Sequence, residues 1–121
     1  MSGKITDNLG RSSGLVKAVS GGRMGTVDWD TTVKTSNFTA ESGKGYFVNT
    51  TSGGVTLTLP GSPSAGDIVS VKDYAYTFDT NALTIGVNGS KIGGGGDFNP
   101  TFSSEGAFMT FVYIDGTKGW L

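Results

Sequence analysis

Residues 45–74, GYFVNTTSGGVTLTLPGSPSAGDIVSVKDY, contain the pattern that decides the fold. Within this stretch, connectors rich in Thr, Ser, Gly and Pro separate three short apolar runs, at residues 46–48, 55–59 and 68–71. The middle run, VTLTL, alternates apolar residues with threonines, and this period of two is typical of a half-buried β-strand. Runs of this length between turn residues predict an antiparallel β-meander.

The sequence on either side predicts more strands of the same class. Residues 26–40, before the meander, contain short segments rich in Thr, Val, Trp and Phe, which favour strands. Residues 83–87, LTIGV, alternate again and predict another strand. Asn88-Gly89 follows directly and predicts a tight hairpin turn, so residues 90–92 are expected to return beside that strand.

The most apolar segment is AFMTFVYI, at residues 107–114. A strand that is apolar on both faces is expected to lie centrally in a two-layer core or to place one face in a subunit contact. Asp115-Gly116 then predicts a hairpin into a short last strand. The four glycines at residues 93–96 are interpreted as a flexible loop tip or a close-packed turn, because the pattern of a phosphate-binding loop is absent.

Composition supports a single all-β domain. The chain has 121 residues, which is enough for one modest hydrophobic core. Glycine is over-represented, with 21 residues, and no window shows the 3.6-residue apolar period of a helix. The predicted fold is an antiparallel β-sandwich or small barrel at residues 26–121, preceded by an extended N-terminal arm at residues 1–25.

The predicted arm differs from the head domain in charge. Residues 1–23 contain four basic residues and one acidic residue, whereas the rest of the chain contains five basic and nine acidic residues. Its apolar residues are isolated among polar residues and glycines, which suits a peptide that lies along another protein's surface. A disordered tail is the alternative that this composition allows. The basic residues are scattered and lack aromatic partners, so no nucleic-acid partner is expected.

The residue types also exclude several chemistries. The chain has no cysteine and no histidine, which removes disulfides, thiolate metal sites and the His-dependent catalytic triads. The neighbouring acids Asp28 and Asp30 do not have the spacing of an EF-hand calcium loop. No stretch approaches the roughly 20 apolar residues of a membrane span. The sequence therefore predicts a non-enzymatic protein with no cofactor, no metal and no membrane partner.

A family resemblance covers roughly residues 45–121. The stretch GYFVNTTSGGVTLTLPGSPSAGDIVSVKDYAYTFDTNALTI, the NGS turn at residues 88–90 and the terminal FVYIDGTKGW carry it. Together they resemble a β-domain widespread in virion proteins of tailed bacteriophages, many of which infect cyanobacteria and marine bacteria. The segment KITDNLGRSSGL at residues 4–15 also looks like a leader found on such proteins.

The resemblance implies a structural role in the virion. In that family the domain occurs in tail fibres and in small capsid-surface proteins, and the assemblies are commonly trimeric. Because the chain shows neither a shaft nor repeats, we expect a capsid decoration (cement) protein. It would be made in the host bacterial cytoplasm and would bind the major capsid protein, as a homotrimer, on the outer surface of the shell. A tail fibre or adsorption module that recognises a host-surface glycan is the alternative.

This expectation assigns two sets of residues. The proposed oligomer interface uses the apolar strand near the C-terminus and consists of Phe108, Met109, Phe111 and Tyr113. The proposed capsid-binding positions lie in the arm and combine basic, polar and apolar side chains: Lys4, Ile5, Asn8, Leu9, Arg11, Leu15, Val16 and Lys17.

Overall fold

The structure, a computed structural model, describes residues 27–121. Within this range the chain consists of strands and loops, so the all-β prediction is confirmed. The strands are β1 (Asp28–Lys34), β2 (Phe38–Thr39), β3 (Lys44–Val48), β4 (Val55–Thr58), β5 (Ile68–Asp73), β6 (Leu83–Gly86), β7 (Thr101–Phe102), β8 (Phe108–Asp115) and β9 (Gly119–Trp120).

The strands form two sheets, and the chain alternates between them. One sheet has five strands in the order β9-β8-β5-β3-β1, and the other has four in the order β2-β4-β6-β7. From β1 to β6 each strand lies in the sheet opposite its predecessor, and neighbours within a sheet run parallel. The later strands add antiparallel pairs: β6 with β7, β5 with β8, and β8 with β9. From β1 to β6 the chain therefore winds as a flattened coil, in which each turn contributes one strand to each sheet. The later antiparallel strands extend one edge of each sheet.

The predicted antiparallel meander in residues 45–74 is wrong. β3 and β5 pair in parallel, with Tyr46 opposite Val71, while β4 lies in the other sheet. Parallel and antiparallel strands share the same side-chain period of two, so the residue pattern could not distinguish them. The two sheets are mixed and do not close into a barrel.

The hydrophobic core lies between the two sheets and uses the alternating residues of each strand. In β4, Val55 and Leu57 are buried while the two threonines are half-buried, as the sequence predicted. Leu57 lies opposite Ile85 of β6, and both are fully buried. Burial of each such side chain contributes roughly 1.5–3 kcal/mol. Tyr46 and Val48 of β3 complete the core from the five-stranded sheet.

The predicted turn at Asn88-Gly89 is present, but the predicted hairpin is wrong. Both residues have positive φ, 54° and 87°, and the following N–H donates to the Val87 carbonyl over 3.1 Å. These features define a type I′ turn. The antiparallel partner of β6 is nevertheless β7, and the chain after the turn instead forms a bridge between Ile92 and Trp120. The dipeptide set the local geometry, whereas tertiary packing selected the pairing partner.

Two other turn predictions are settled by the structure. The hairpin after β8 is confirmed, and the Asp115 carboxylate accepts hydrogen bonds of 3.0 and 2.8 Å from two following backbone N–H groups. The glycine run at residues 93–96 forms a turn that two backbone hydrogen bonds of 2.9 and 2.7 Å between Ile92 and Gly96 close, and its first two glycines are exposed. This turn lies beside β9 and helps to bury the end of the sheet.

Candidate interaction surface

The outer side of the five-stranded sheet is apolar. Alternation along its strands sends one set of side chains into the core and the next set outward. On β8 the outward residues include Phe108, Val112 and Ile114, which expose 60%, 38% and 47% of their surface, respectively. We call the whole surface the apolar face, and its residues are Trp29, Phe47, Ile68, Phe108, Val112, Ile114 and Leu121.

Strand register makes the apolar face continuous. Ile68 of β5 lies directly opposite Val112 of β8. On the other side of β8, Leu121 and Val112 exchange backbone hydrogen bonds of 2.9 and 3.2 Å, so their side chains share one side of the sheet. These three aliphatic residues form one row across the sheet. Because Leu121 follows the last residue of β9, this row extends the apolar face past the end of that strand.

Trp29 covers the middle of the apolar face because β3 has a glycine there. Trp29 of β1 pairs with Gly45, and a β-carbon added at residue 45 would lie 2.6 Å from an atom of the indole ring. The indole therefore rests directly on the backbone of β3. Its ring centroid lies 4.9 Å from that of Phe47 and 6.2 Å from that of Phe108. Aromatic pairs of this kind contribute about 0.5–1.5 kcal/mol beyond their burial, so the three rings stabilise one cluster.

The polar groups within the apolar face are already engaged. The hydroxyl groups of Ser70 and Thr110, opposite each other on β5 and β8, share a hydrogen bond of 2.8 Å. The Lys72 ammonium donates to the Gly106 carbonyl over 3.0 Å and lies 4.2 Å from the centroid of the Tyr76 ring. The Lys72 ammonium and the two hydroxyl groups thus make these contacts within the domain itself, before any second molecule binds.

The outer side of the four-stranded sheet has the opposite character. Threonines occupy its outward positions, and strand pairing aligns them in two rows. Thr39 lies opposite Thr58, and Thr56 lies opposite Thr84, which in turn lies opposite Thr101. We call this surface the threonine face. Its hydroxyl groups allow contact with water at little cost, while the β-branched carbons favour the strand.

The predicted oligomer-interface residues do not share one surface. Phe111 is buried in the core with 7% exposure, and Met109 and Tyr113 pack against the same core. Of the four, only Phe108 lies on the apolar face. The four residues are divided in this way because alternation along a strand sends neighbouring residues to opposite sides. The same alternation identifies Val112 and Ile114 as the outward residues, although the assigned set did not include them.

The aromatic loop that follows β5, residues 74–78, is fixed by a buried carboxylate. Asp73 is fully buried, and its side chain accepts hydrogen bonds of 3.1, 3.0 and 3.0 Å from the N–H groups of Thr77, Phe78 and Gly106. The Phe78 side chain is buried, whereas the two tyrosines of the loop are more than half exposed. The loop thus holds two aromatic side chains in fixed positions beside the apolar face.

The carboxylate of Asp30 serves local structure. Asp30 accepts a hydrogen bond of 2.9 Å from the Thr32 N–H, and Lys34 Nζ lies 3.3 Å from its other oxygen. The hydrogen bond from Thr32, and then Lys34, lower the pKa of Asp30 below its ordinary value. Among residues 27–121, no group of three or more Asp, Glu, His or Cys side chains could hold a metal ion.

An open cleft lies at the edge of the threonine face. Its volume is about 250 Å³, and hydroxyl, amide and backbone groups line it: Thr35, Ser36, Asn37, Ser52, Gly53 and Gly54. Asn37 is partly committed, because its Oδ1 accepts a hydrogen bond of 2.8 Å from the Thr56 N–H. The lining contains no charged side chain, so the cleft suits a neutral polar group.

The remaining predicted site lies outside the described residues. The arm at residues 1–25 falls before residue 27, as do all of its proposed capsid-binding positions: Lys4, Ile5, Asn8, Leu9, Arg11, Leu15, Val16 and Lys17. Within the described range, no helix has the length and hydrophobicity needed to cross a bilayer.

Comparison of the chain with models of known protein families gave no match, and comparison with curated proteins gave none either.

Proposed function

We propose that this protein is a structural component of a phage virion, namely a decoration (cement) protein that binds the outer surface of the capsid. The observation that carries the proposal is the apolar face, an exposed surface with Lys72 as its single charged residue among the described positions. Large exposed apolar surfaces mark sites of protein–protein contact. The resemblance of residues 45–121 to virion β-domains supports the same class of function.

The proposed arrangement is a homotrimer whose head domains gather three arms. Each arm would contact the major capsid protein of the shell through the basic and apolar positions between residues 4 and 17. Linking three weak contacts in one particle raises the overall affinity by a factor of about 10²–10⁴ when all three can bind together. Attachment would thereby stabilise contacts between neighbouring capsid subunits without any catalytic chemistry.

A charge-removal experiment tests the attachment. The variant carries Lys4→Gln, Arg11→Gln and Lys17→Gln in the full-length chain, and its binding to expanded empty capsids is measured by co-sedimentation. We expect a loss of binding of about 10-fold or more, since each removed charge weakens three arms at once. The matched control removes three lysines from the head, Lys34, Lys44 and Lys118. Equal binding by the two variants would refute the role of the arm.

The alternative function is recognition of a host-surface glycan by a fibre or adsorption protein. The open cleft beside the threonine face favours it, since hydroxyl and amide groups line that cleft. Antibody labelling of intact virions separates the two functions: label over the whole shell supports the cement protein, and label confined to the tail supports the adsorption module. An Asn37→Ala variant that loses binding to host cells while it still folds would favour the glycan function.

A further inference from the structure

The apolar face is built for contact with another surface. Phe108 and Leu121 expose 60% and 57% of their surface, and Ile114 exposes 47%. Monomeric proteins rarely expose contiguous apolar patches larger than a few hundred Å². The exposed side chains lie on the outer side of the five-stranded sheet. Here the core covers only the inner side.

The charge and hydrogen bonding of the face define the partner that it fits. Lys72 is the single charged residue in the rows of the face, and its ammonium already contacts Gly106 and Tyr76. The hydroxyl groups of Ser70 and Thr110 are bonded to each other. The one cation of the face is therefore already engaged within the domain, and one of the two hydroxyl hydrogens is used between the strands. A partner that is mainly apolar and uncharged fits this surface best.

We propose that copies of this chain associate with one another through their apolar faces. A second copy supplies an apolar, uncharged surface of the required kind, and the composition of the face is that of homomeric interfaces, which are rich in aromatic residues and poor in charge. Lys72 lies opposite Phe108 at one end of β8, about 20 Å along the strand from Ile114. Copies can therefore pack with the Ile114 ends of their faces close together and the ammonium groups at the rim of the contact.

This inference rests on the proposed function for the homotrimer and assigns the surface that would form it. The contact uses Trp29, Phe47, Val112 and Ile114 in addition to Phe108. It does not use Phe111, which belongs to the core of its own domain. Self-association can be measured without capsids, so failure of capsid binding and failure of this contact are separate results.

The primary test introduces the same charge on each outer face. In the full-length chain, Val112→Lys places an ammonium on the apolar face, and the matched control Thr101→Lys places it on the threonine face. Sedimentation equilibrium is expected to show an oligomer for the wild type and for Thr101→Lys. Val112→Lys should associate about 100-fold more weakly or worse, because a charge left unpaired in an interface is costly. A wild-type monomer, or an unchanged oligomer in Val112→Lys, would overturn the proposal.

A second measurement does not depend on tolerance of a lysine. The chain has no cysteine, so Ile114→Cys and Thr56→Cys each provide a single thiol. A short bis-maleimide should join two Ile114→Cys chains at low protein concentration and leave Thr56→Cys chains unjoined. The reverse result would overturn the proposal. If the wild type is a monomer, and a soluble maleimide labels the Thr56→Cys thiol but not the Ile114→Cys thiol, the face is covered by residues 1–26 of the same chain, and the proposal is again wrong.

Discussion

The two outer faces of this protein differ although the two sheets share one core. Both sheets use the same alternation, with buried aliphatic residues inside. Outside, the four-stranded sheet carries aligned threonines, whereas the five-stranded sheet carries an aromatic cluster and an aliphatic row. Because the fold accepts hydroxyl groups on one outer face, it does not by itself require apolar residues on the other. The apolar face is thus better explained by contact with a partner than by the needs of folding.

Two carboxylates at opposite ends of β5 provide the largest expected difference. Asp73→Asn removes a carboxylate that accepts three backbone hydrogen bonds in a buried site, and we expect the free energy of unfolding to fall by about 3 kcal/mol. The control is Asp67→Asn, since Asp67 accepts one exposed hydrogen bond of 2.9 Å from Ser64. Urea denaturation measures both. Similar losses in the two variants would show that the loop next to the apolar face is not specially fixed.

The same substitution at a glycine on each outer face provides the next difference. In Gly45→Ala the new β-carbon would lie 2.5 Å from Val27 and 2.6 Å from Trp29, so we expect a destabilisation of about 1–3 kcal/mol. In Gly86→Ala the nearest atom is the Thr58 hydroxyl oxygen at 3.2 Å, which can rotate away. The second variant should stay within about 0.5 kcal/mol of the wild type. Thermal unfolding compares them, and equal shifts would contradict the close packing of the indole.

Exchange of residue types between the two faces tests whether their side chains account for the difference in self-association. Val112→Thr with Ile114→Thr makes the apolar face resemble the threonine face, and it should weaken self-association about 10-fold. These outward side chains contribute little to the core, so the unfolding free energy should change by less than about 1 kcal/mol. The reverse pair, Thr56→Val with Thr84→Val, should create a new tendency to associate. Light scattering at several protein concentrations measures the average mass of the particles. An average mass equal to that of the wild type in both variants would show that the two faces do not differ in their tendency to associate.

The smallest effect concerns acid sensitivity at the edge strand β1. The pKa of Asp30 is lowered, mainly by the Thr32 N–H, so the stabilising contribution of this carboxylate is present above pH 3.8 and is lost as the pH falls through the lower folded value. Lys34→Gln should raise the pKa slightly without restoring the value of 3.8, since the hydrogen bond from Thr32 is the larger cause. NMR titration of the Asp30 carboxyl measures it. A full return to the ordinary value would assign the shift to Lys34 instead.

Local patterns predicted the strands but not their arrangement. The alternation of VTLTL placed Leu57 in the core correctly, and Asn88-Gly89 gave the observed turn. Neither pattern predicted that β3 and β5 pair in parallel, because parallel and antiparallel strands have the same side-chain period of two. Packing selects hydrogen-bond partners that are distant in sequence. The predicted interface residues are divided between two surfaces for a related reason. It grouped residues by their position along β8, although neighbouring residues of a strand point to opposite sides.

The residue pattern was enough to predict an all-β protein, to locate most of its strands and turns, and to exclude chemistry that depends on His or Cys side chains. Those properties follow from side-chain period, turn preferences and composition, which are local. Only the tertiary structure decided which strands are neighbours and therefore which side chains share a surface. The glycine at residue 45 shows why: its small size matters only because β1 brings Trp29 beside it. The apolar face and the threonine face exist because the coils of the chain stack in register, and register is set by packing across the whole core.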